Sequence, residues 1–227
     1  TSSLYYGCMI GLNTAARIWV DGFNLIHNLG SDVYFAWDFG TGRNRGTRLA
    51  FRRYQTDQFS ASVRYDLNCL LQHCCYYGAG RYALFTGSGS ADIVAGNSVA
   101  RNVLIRQDWA EGDQPCAAVA HYGSDNGSWV DSKNVYYQNV FVLDSPLIPN
   151  QASFGGSYAG FYHPKHGRNT RHQGCIALNT GAQYATFRSD NIGNATLFAD
   201  DCVAFDTNLG ISGFSPNAFQ AAGSSVF

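Results

Sequence analysis

Apolar and polar residues alternate along this chain in two short phrases that keep returning. The first opens on a polar residue, usually Asn, alternates apolar side chains, and reaches Asp, Asn or Gly ten positions on. It reads NVYYQNVFVLDS from Asn134, NTRHQGCIALNT from Asn169 and TLFADDCVAFDT from Thr196. NCLLQHCCYYGA from Asn68 and NVLIRQDWAEGD from Asn102 fit the same frame. The second phrase follows each first one: YALFT from Tyr82, AAVAH from Ala117, YAGFY from Tyr158, YATFR from Tyr184 and ISGFS from Ile211. Its second position is small in most copies. Alternation with a period of two predicts strands. No copy holds an amphipathic run long enough for an ordinary helix.

Strand, turn, strand, turn, repeated about seven times, predicts an all-β chain, a parallel β-helix solenoid in which each repeat stacks on its neighbour. The phrase ends at Asn28, Asp57, Gly78, Gly112, Asp144, Asn179 and Asp206 are 21 to 35 residues apart. Constant strands with variable spacing mean that extra residues loop outward, as in Ser145–Ser157 and Gly87–Arg101. In these features the chain resembles the pectate-lyase-like superfamily of right-handed β-helix proteins, over roughly residues 15–215. The resemblance is one of architecture and implies a right-handed helix of about seven irregular coils. It extends to no catalytic motif. Residues 15–227 read as one such domain. Residues 1–14, with Tyr5, Tyr6, Met9, Ile10 and Leu12, read as an apolar assembly strand that adds to another copy of the chain.

Composition narrows the function classes. The formal net charge is −1, which offers no general attraction to nucleic acid. No apolar run approaches a membrane span. Charged residues make up 14% of the chain against about 25% in a typical domain, so the surface is polar through Ser, Asn, Gln and Tyr. A chain that opens on Thr1 without Met reads as having lost a leader segment, which places it outside the cell or on its surface.

In a stacked solenoid, one turn position recurs in every coil. Asn68, Asn102, Asn134 and Asn169 are therefore expected to form a structural ladder at one bend, each amide bonding those above and below. By the same frame Cys74, Cys175 and Cys202 share a buried column with Asp108 and Val140. Cys175 and Cys202, on adjacent coils, fall within reach of a disulfide. Cys74 and Cys75 cannot both point inward. Cys8 is the candidate for a bond between subunits.

For catalysis, the second phrase stacks Thr86, His121, Tyr162, Arg188 and Ser215 beside His163 and Lys165. His121, Tyr162, Lys165 and Arg188 are candidates to hold an acidic sugar, with His163 or Lys165 moving the proton. Asp108, Glu111 and Asp113 are the best acidic cluster for Ca²⁺, and no other cofactor is indicated. Against an enzyme stand large apolar residues expected on the outer face: Leu70, Leu104, Tyr136 and Phe198, opposite the inward Val103, Ile105, Val135 and Tyr137. A sheet apolar on both sides marks an interface. The reading preferred on this pattern is an extracellular structural or adhesive subunit that partners copies of itself. The alternative is a polysaccharide-active enzyme or carbohydrate binder.

Overall fold

The computed structural model describes residues 8–11, 17–26, 35–38, 45–54, 61–64, 68–78, 82–87, 96–107, 117–122, 132–143, 159–165, 167–168, 170–178, 185–192, 197–205 and 217–220. These residues are mostly strands, in two mainly parallel sheets between which the chain alternates. β1 (Cys8–Gly11) opens the smaller sheet, and β2 (Trp19–Asp21) with β3 (Asn24–Ile26) opens the larger. The smaller sheet continues with β4 (Phe35–Asp38), and the larger with β5 (Arg45–Thr47) and β6 (Ala50–Tyr54). Next come β7 (Ala61–Arg64), β8 (Leu70–Gly78), β9 (Tyr82–Gly87), β10 (Gly96–Gln107), β11 (Ala117–Tyr122) and β12 (Ser132–Leu143). β13 (Ala159–Lys165) returns to the smaller sheet; β14 (Gly167–Arg168), β15 (Thr170–Gln173) and β16 (Ile176–Leu178) belong to the larger. β17 (Ala185–Ile192), β18 (Leu197–Asp200), β19 (Val203–Phe205) and β20 (Asn217–Gln220) complete the described elements. The smaller sheet has the order β1-β4-β7-β9-β11-β13-β17-β20, and the larger runs from β18 through β15, β12, β10, β8 and β5 to β2.

Two features of the sequence make the larger sheet bend. Within β8, β10 and β12 a residue at one shared register position takes a positive φ: His73 (53°), Asn102 (52°) and Asn139 (50°). Arg48 (52°), Gly174 (60°), Asp201 (52°) and Gly22 (71°) do so between shorter strands. The strand register sets all seven in one column, Gly22–Arg48–His73–Asn102–Asn139–Gly174–Asp201. That column is the second corner along the chain; five residues earlier the first corner holds Asn68 (55°), Asn97 (49°) and Asn134 (58°). Asn and Asp tolerate this left-handed conformation better than most residues because their short side chains bond locally. Backbone ladder bonds continue through the second corner: Gly22 N–H donates to Thr47 O at 3.1 Å, Arg48 N–H to Gln72 O at 3.1 Å, and Gly174 N–H to Asp200 O at 3.0 Å.

The asparagine ladder is therefore two ladders, and the expected one is corrected. Asn97, not Asn102, lies between Asn68 and Asn134, and Asn134 Nδ2 donates to Asn97 Oδ1 at 3.2 Å. Asn102 belongs to the next corner, where Asn139 Nδ2 donates to its Oδ1 at 3.1 Å and its Nδ2 meets His73 Nδ1 at 3.4 Å. Asn169 lies outside the described residues. The same five-residue shift puts Val103, rather than Asp108, between Cys74 and Val140 in the buried column, which goes on to Cys175 and Cys202. Cys74 is buried and Cys75 exposed.

The core lies between the two sheets. From the larger sheet come Leu71, Tyr76, Val103, Ile105, Val135, Tyr137, Val140 and Val142; from the smaller, Leu84, Val119, Phe161 and Phe187. Phe161 and Phe187 stack at 4.5 Å between ring centroids. Each such side chain contributes about 1.5–3 kcal/mol by leaving water. The small position of the second phrase becomes the column Ala83, Ala118 and Gly160, buried although alternation turns it away from Leu84, Val119 and Phe161. Both faces of the smaller sheet are thus covered here. Cys8–Gly11, within the segment expected to join another copy, pairs along one edge with Phe35–Asp38 of the same chain and ends the smaller sheet.

Gly174 offers a test of the corner. A Cβ there would sit 2.6 Å from Asn139 Oδ1, and its φ of 60° is strained for any other residue type placed beside that amide. Gly174→Ala should destabilise by about 2 kcal/mol, from the left-handed backbone and the displaced ladder amide. In an Asn139→Ala background the same change should cost roughly half as much, read by equilibrium denaturation as a double-mutant cycle.

Candidate functional site

The residues expected to form a catalytic column do not assemble into one. Register pairs Ala117 with Ala159, so the YAGFY frame slips by one residue, and Tyr162 lies beside Ala120 rather than His121. A slip of one residue in a strand exchanges its faces. Tyr162 is half-buried and neighbours Arg188; His163 pairs with Ser189; Lys165 pairs with Tyr122 and Ile192 across an irregularity. The phrase expected at Ile211, with Ser215, lies outside the described residues, and β20 from Asn217 pairs with β17. Asp108, Glu111 and Asp113 also lie outside them. Among the described residues no group of three His, Cys, Asp or Glu converges on a point that could hold a metal.

His121 is an interior residue and cannot meet a polymer. It is fully buried, with Nδ1 2.6 Å from Thr170 Oγ1 across the core. His172, also fully buried, stacks on Tyr137 at 4.8 Å and meets the edges of Phe161 and Phe187. Burial holds both imidazoles well below their ordinary pKa, at about 3, and their mutual repulsion lowers His172 further. They are neutral core groups that join the two sheets.

The chemistry that does face outward lies on the larger sheet, divided by the second corner. Before the corner, one outward column runs Trp19–Arg45–Leu70–Val99–Tyr136–Arg171–Phe198. Beside it runs Asp21–Thr47–Gln72–Arg101–Gln138–Gln173–Asp200. Gln72 Oε1 accepts from Arg101 Nε at 2.9 Å, and its Nε2 donates to Thr47 Oγ1 at 3.1 Å. The Arg171 guanidinium lies 5.2 Å over the Phe198 ring. At the end nearest β2, a pocket of about 390 Å³ is lined by Arg17, Ile18, Trp19, Arg45, Asn68 and Asn97. Asp21 and Arg48 form an exposed ion pair that lowers the Asp21 carboxyl pKa through the hydrogen bond from Arg48.

After the corner the surface changes character. The outward column there is Ala50–Cys75–Leu104–Phe141–Ile176–Val203, flanked by Tyr77, Arg106, Leu143 and Leu178. Leu104 is 43% exposed, Val203 49%, and Tyr77 and Leu178 38% each. The four outward apolar residues expected from the alternation do face out, wholly or in part, but in two groups. Leu70, Tyr136 and Phe198 stand before the corner and Leu104 after it.

Cys69, Cys74, Cys75, Cys175 and Cys202 are free thiols, the last two being neighbours in the expected column. Cys8 is in β1. Burial raises the Cys74 thiol to about 12 and raises Cys175 as well, while the hydrogen bond from Cys175 lets Cys202 ionise first of that pair. Comparison with protein-family models, with curated proteins and with solved structures finds no match to this chain.

Two outcomes follow. A histidine whose folded pKa lies below its unfolded value leaves the unfolded chain binding more protons, so stability falls as pH drops from about 6.5 towards 3. At pH 5 each of the two should have cost about 2 kcal/mol relative to pH 7.5. Denaturant titrations of the wild type and His172→Phe should show the variant losing less stability over that interval. In alkylation followed by peptide mapping, Cys75 should react first, Cys202 more slowly, and Cys74 and Cys175 only on unfolding.

Proposed function

We propose that this chain is a right-handed parallel β-helix of about seven coils that serves as an extracellular structural or adhesive subunit and assembles with copies of itself. The alternation of the chain between two parallel sheets supports the helix. One observation carries the assembly. The larger sheet is buried on its inner side at Cys74, Val103, Val140 and Cys175, yet its outer side one residue further on is again apolar at Leu104, Phe141, Ile176 and Val203. A strip of this kind exceeds the scattered apolar residues of an ordinary surface. The second copy is its natural occupant because two such strips related by a two-fold axis meet aliphatic on aliphatic. Among the described residues no helix is long and apolar enough to cross a membrane.

Lysines placed within a buried apolar contact would be stranded without partners. Leu104→Lys combined with Val203→Lys should therefore weaken self-association by roughly a hundredfold or more. Gln138→Lys, before the corner, should leave it unchanged. Sedimentation velocity over a concentration series reads both. A wild-type chain that stays monomeric at high concentration would end the proposal.

A further inference from the structure

Charge is segregated in this fold in a way the net charge conceals. The segments of the larger sheet (residues 17–26, 45–54, 68–78, 96–107, 132–143, 167–178 and 197–205) hold ten of the fifteen basic residues and three of the sixteen acidic ones, a net of +7 in a chain of net −1. Nine of the ten are arginine. Arg17, Arg45, Arg48, Arg101, Arg106 and Arg171 are exposed. Of these six, Arg48 alone has a carboxylate partner among the described residues.

The arrangement before the corner is regular. Arg45 is on β5, Arg101 on β10 and Arg171 on β15, so along the stacking direction each stands two strands from the next, with Arg45 and Arg171 in one column and Arg101 two residues across in the column beside it. Two strand spacings are about 9.5 Å. Tyr136 lies on the strand between Arg101 and Arg171, Phe198 on the strand after Arg171, and Trp19 on the strand beside Arg45. Gln72 fixes the Arg101 guanidinium, and Gln138 and Gln173 continue the polar column. Guanidinium groups bind oxyanions through paired hydrogen bonds. Aromatic faces take the apolar face of a sugar ring, and amides take its hydroxyls.

We propose that this face binds a linear anionic glycan along the stacking axis, one that carries one oxyanion per disaccharide. Two linked pyranose rings in an extended chain match the two-strand interval between guanidinium groups. A nucleic acid, with a phosphate at each nucleotide, places its charges too closely for that interval. The binding face is separated by the corner from the apolar strip, so this inference stands or falls independently of self-association.

The test uses the full chain and immobilised polymers. Hyaluronan supplies one carboxylate per disaccharide, κ-carrageenan one sulfate, polygalacturonate a carboxylate on every ring, dextran none, and a single-stranded oligonucleotide supplies phosphates. Binding to hyaluronan or κ-carrageenan is expected, weaker at high salt, with polygalacturonate weaker and dextran silent; which of the first two is preferred identifies the oxyanion. Arg101→Gln and Arg171→Gln should each reduce that binding about tenfold, and Tyr136→Ala should reduce it too. Thermal melts should stay at the wild-type value for these exposed sites, and Leu104→Lys should bind as the wild type does. No binding to either one-charge polymer, tighter binding to polygalacturonate or the oligonucleotide, or arginine variants that bind as well as wild type would each overturn the proposal.

Discussion

The rest of this structure depends on one constraint: parallel strands keep a common register through two left-handed corners. In a parallel ladder every backbone N–H and C=O is bonded to a neighbouring strand, so a bend is tolerated only if the ladder passes through it. The corner column from Gly22 to Asp201 achieves this by repeating one φ at the same position in seven successive chain segments. The left-handed cost at each non-glycine residue is of the order of 1 kcal/mol. It is offset by ladder bonds at both sides and, at His73, Asn102 and Asn139, by contacts between stacked side chains. Gly174 completes the run because Asn139 has already taken the space where a Cβ would go.

Register also explains the division of chemistry. Once every strand is aligned, side chains of one kind meet their own kind in columns. A column is therefore the unit on which packing and recognition act. Inward columns became the core, with His121 and His172 admitted because the first bonds Thr170 and the second has aromatic rings on three sides. Outward columns became a guanidinium and amide face on one side of the corner and an aliphatic strip on the other.

Much of this was legible in the alternation of the chain. The strands, the parallel stacking, the inward Val103, Ile105, Val135 and Tyr137, and the opposed Cys74 and Cys75 all follow from period two. The corners were not legible, because a left-handed residue interrupts that period. In NSVARNV and NVYYQNV both corner positions are Asn, five apart, so Asn102 aligned with Asn134 as plausibly as Asn97 did. The repeated Asn–four residues–Asn spacing was the signal that could have separated them. A similar slip of one residue between Ala117 and Ala159 moved His121 from the core to an imagined surface column. The arginine face had no signature in net charge, since acidic residues elsewhere in the chain cancel it.

The corner residues carry a further consequence. Because each one interrupts the two-residue alternation, it restarts the count of inside and outside for the segment that follows. Leu71 and Cys74 both point inward although three positions separate them, with His73 between. An insertion or deletion on one side of a corner is thus confined to that side, and the segment beyond it keeps its facing. The fold behaves like a text punctuated often enough that one misprint spoils a clause and leaves the sentence readable. Such a chain can vary the length and chemistry of one face over evolutionary time while the face around the corner stays as it was.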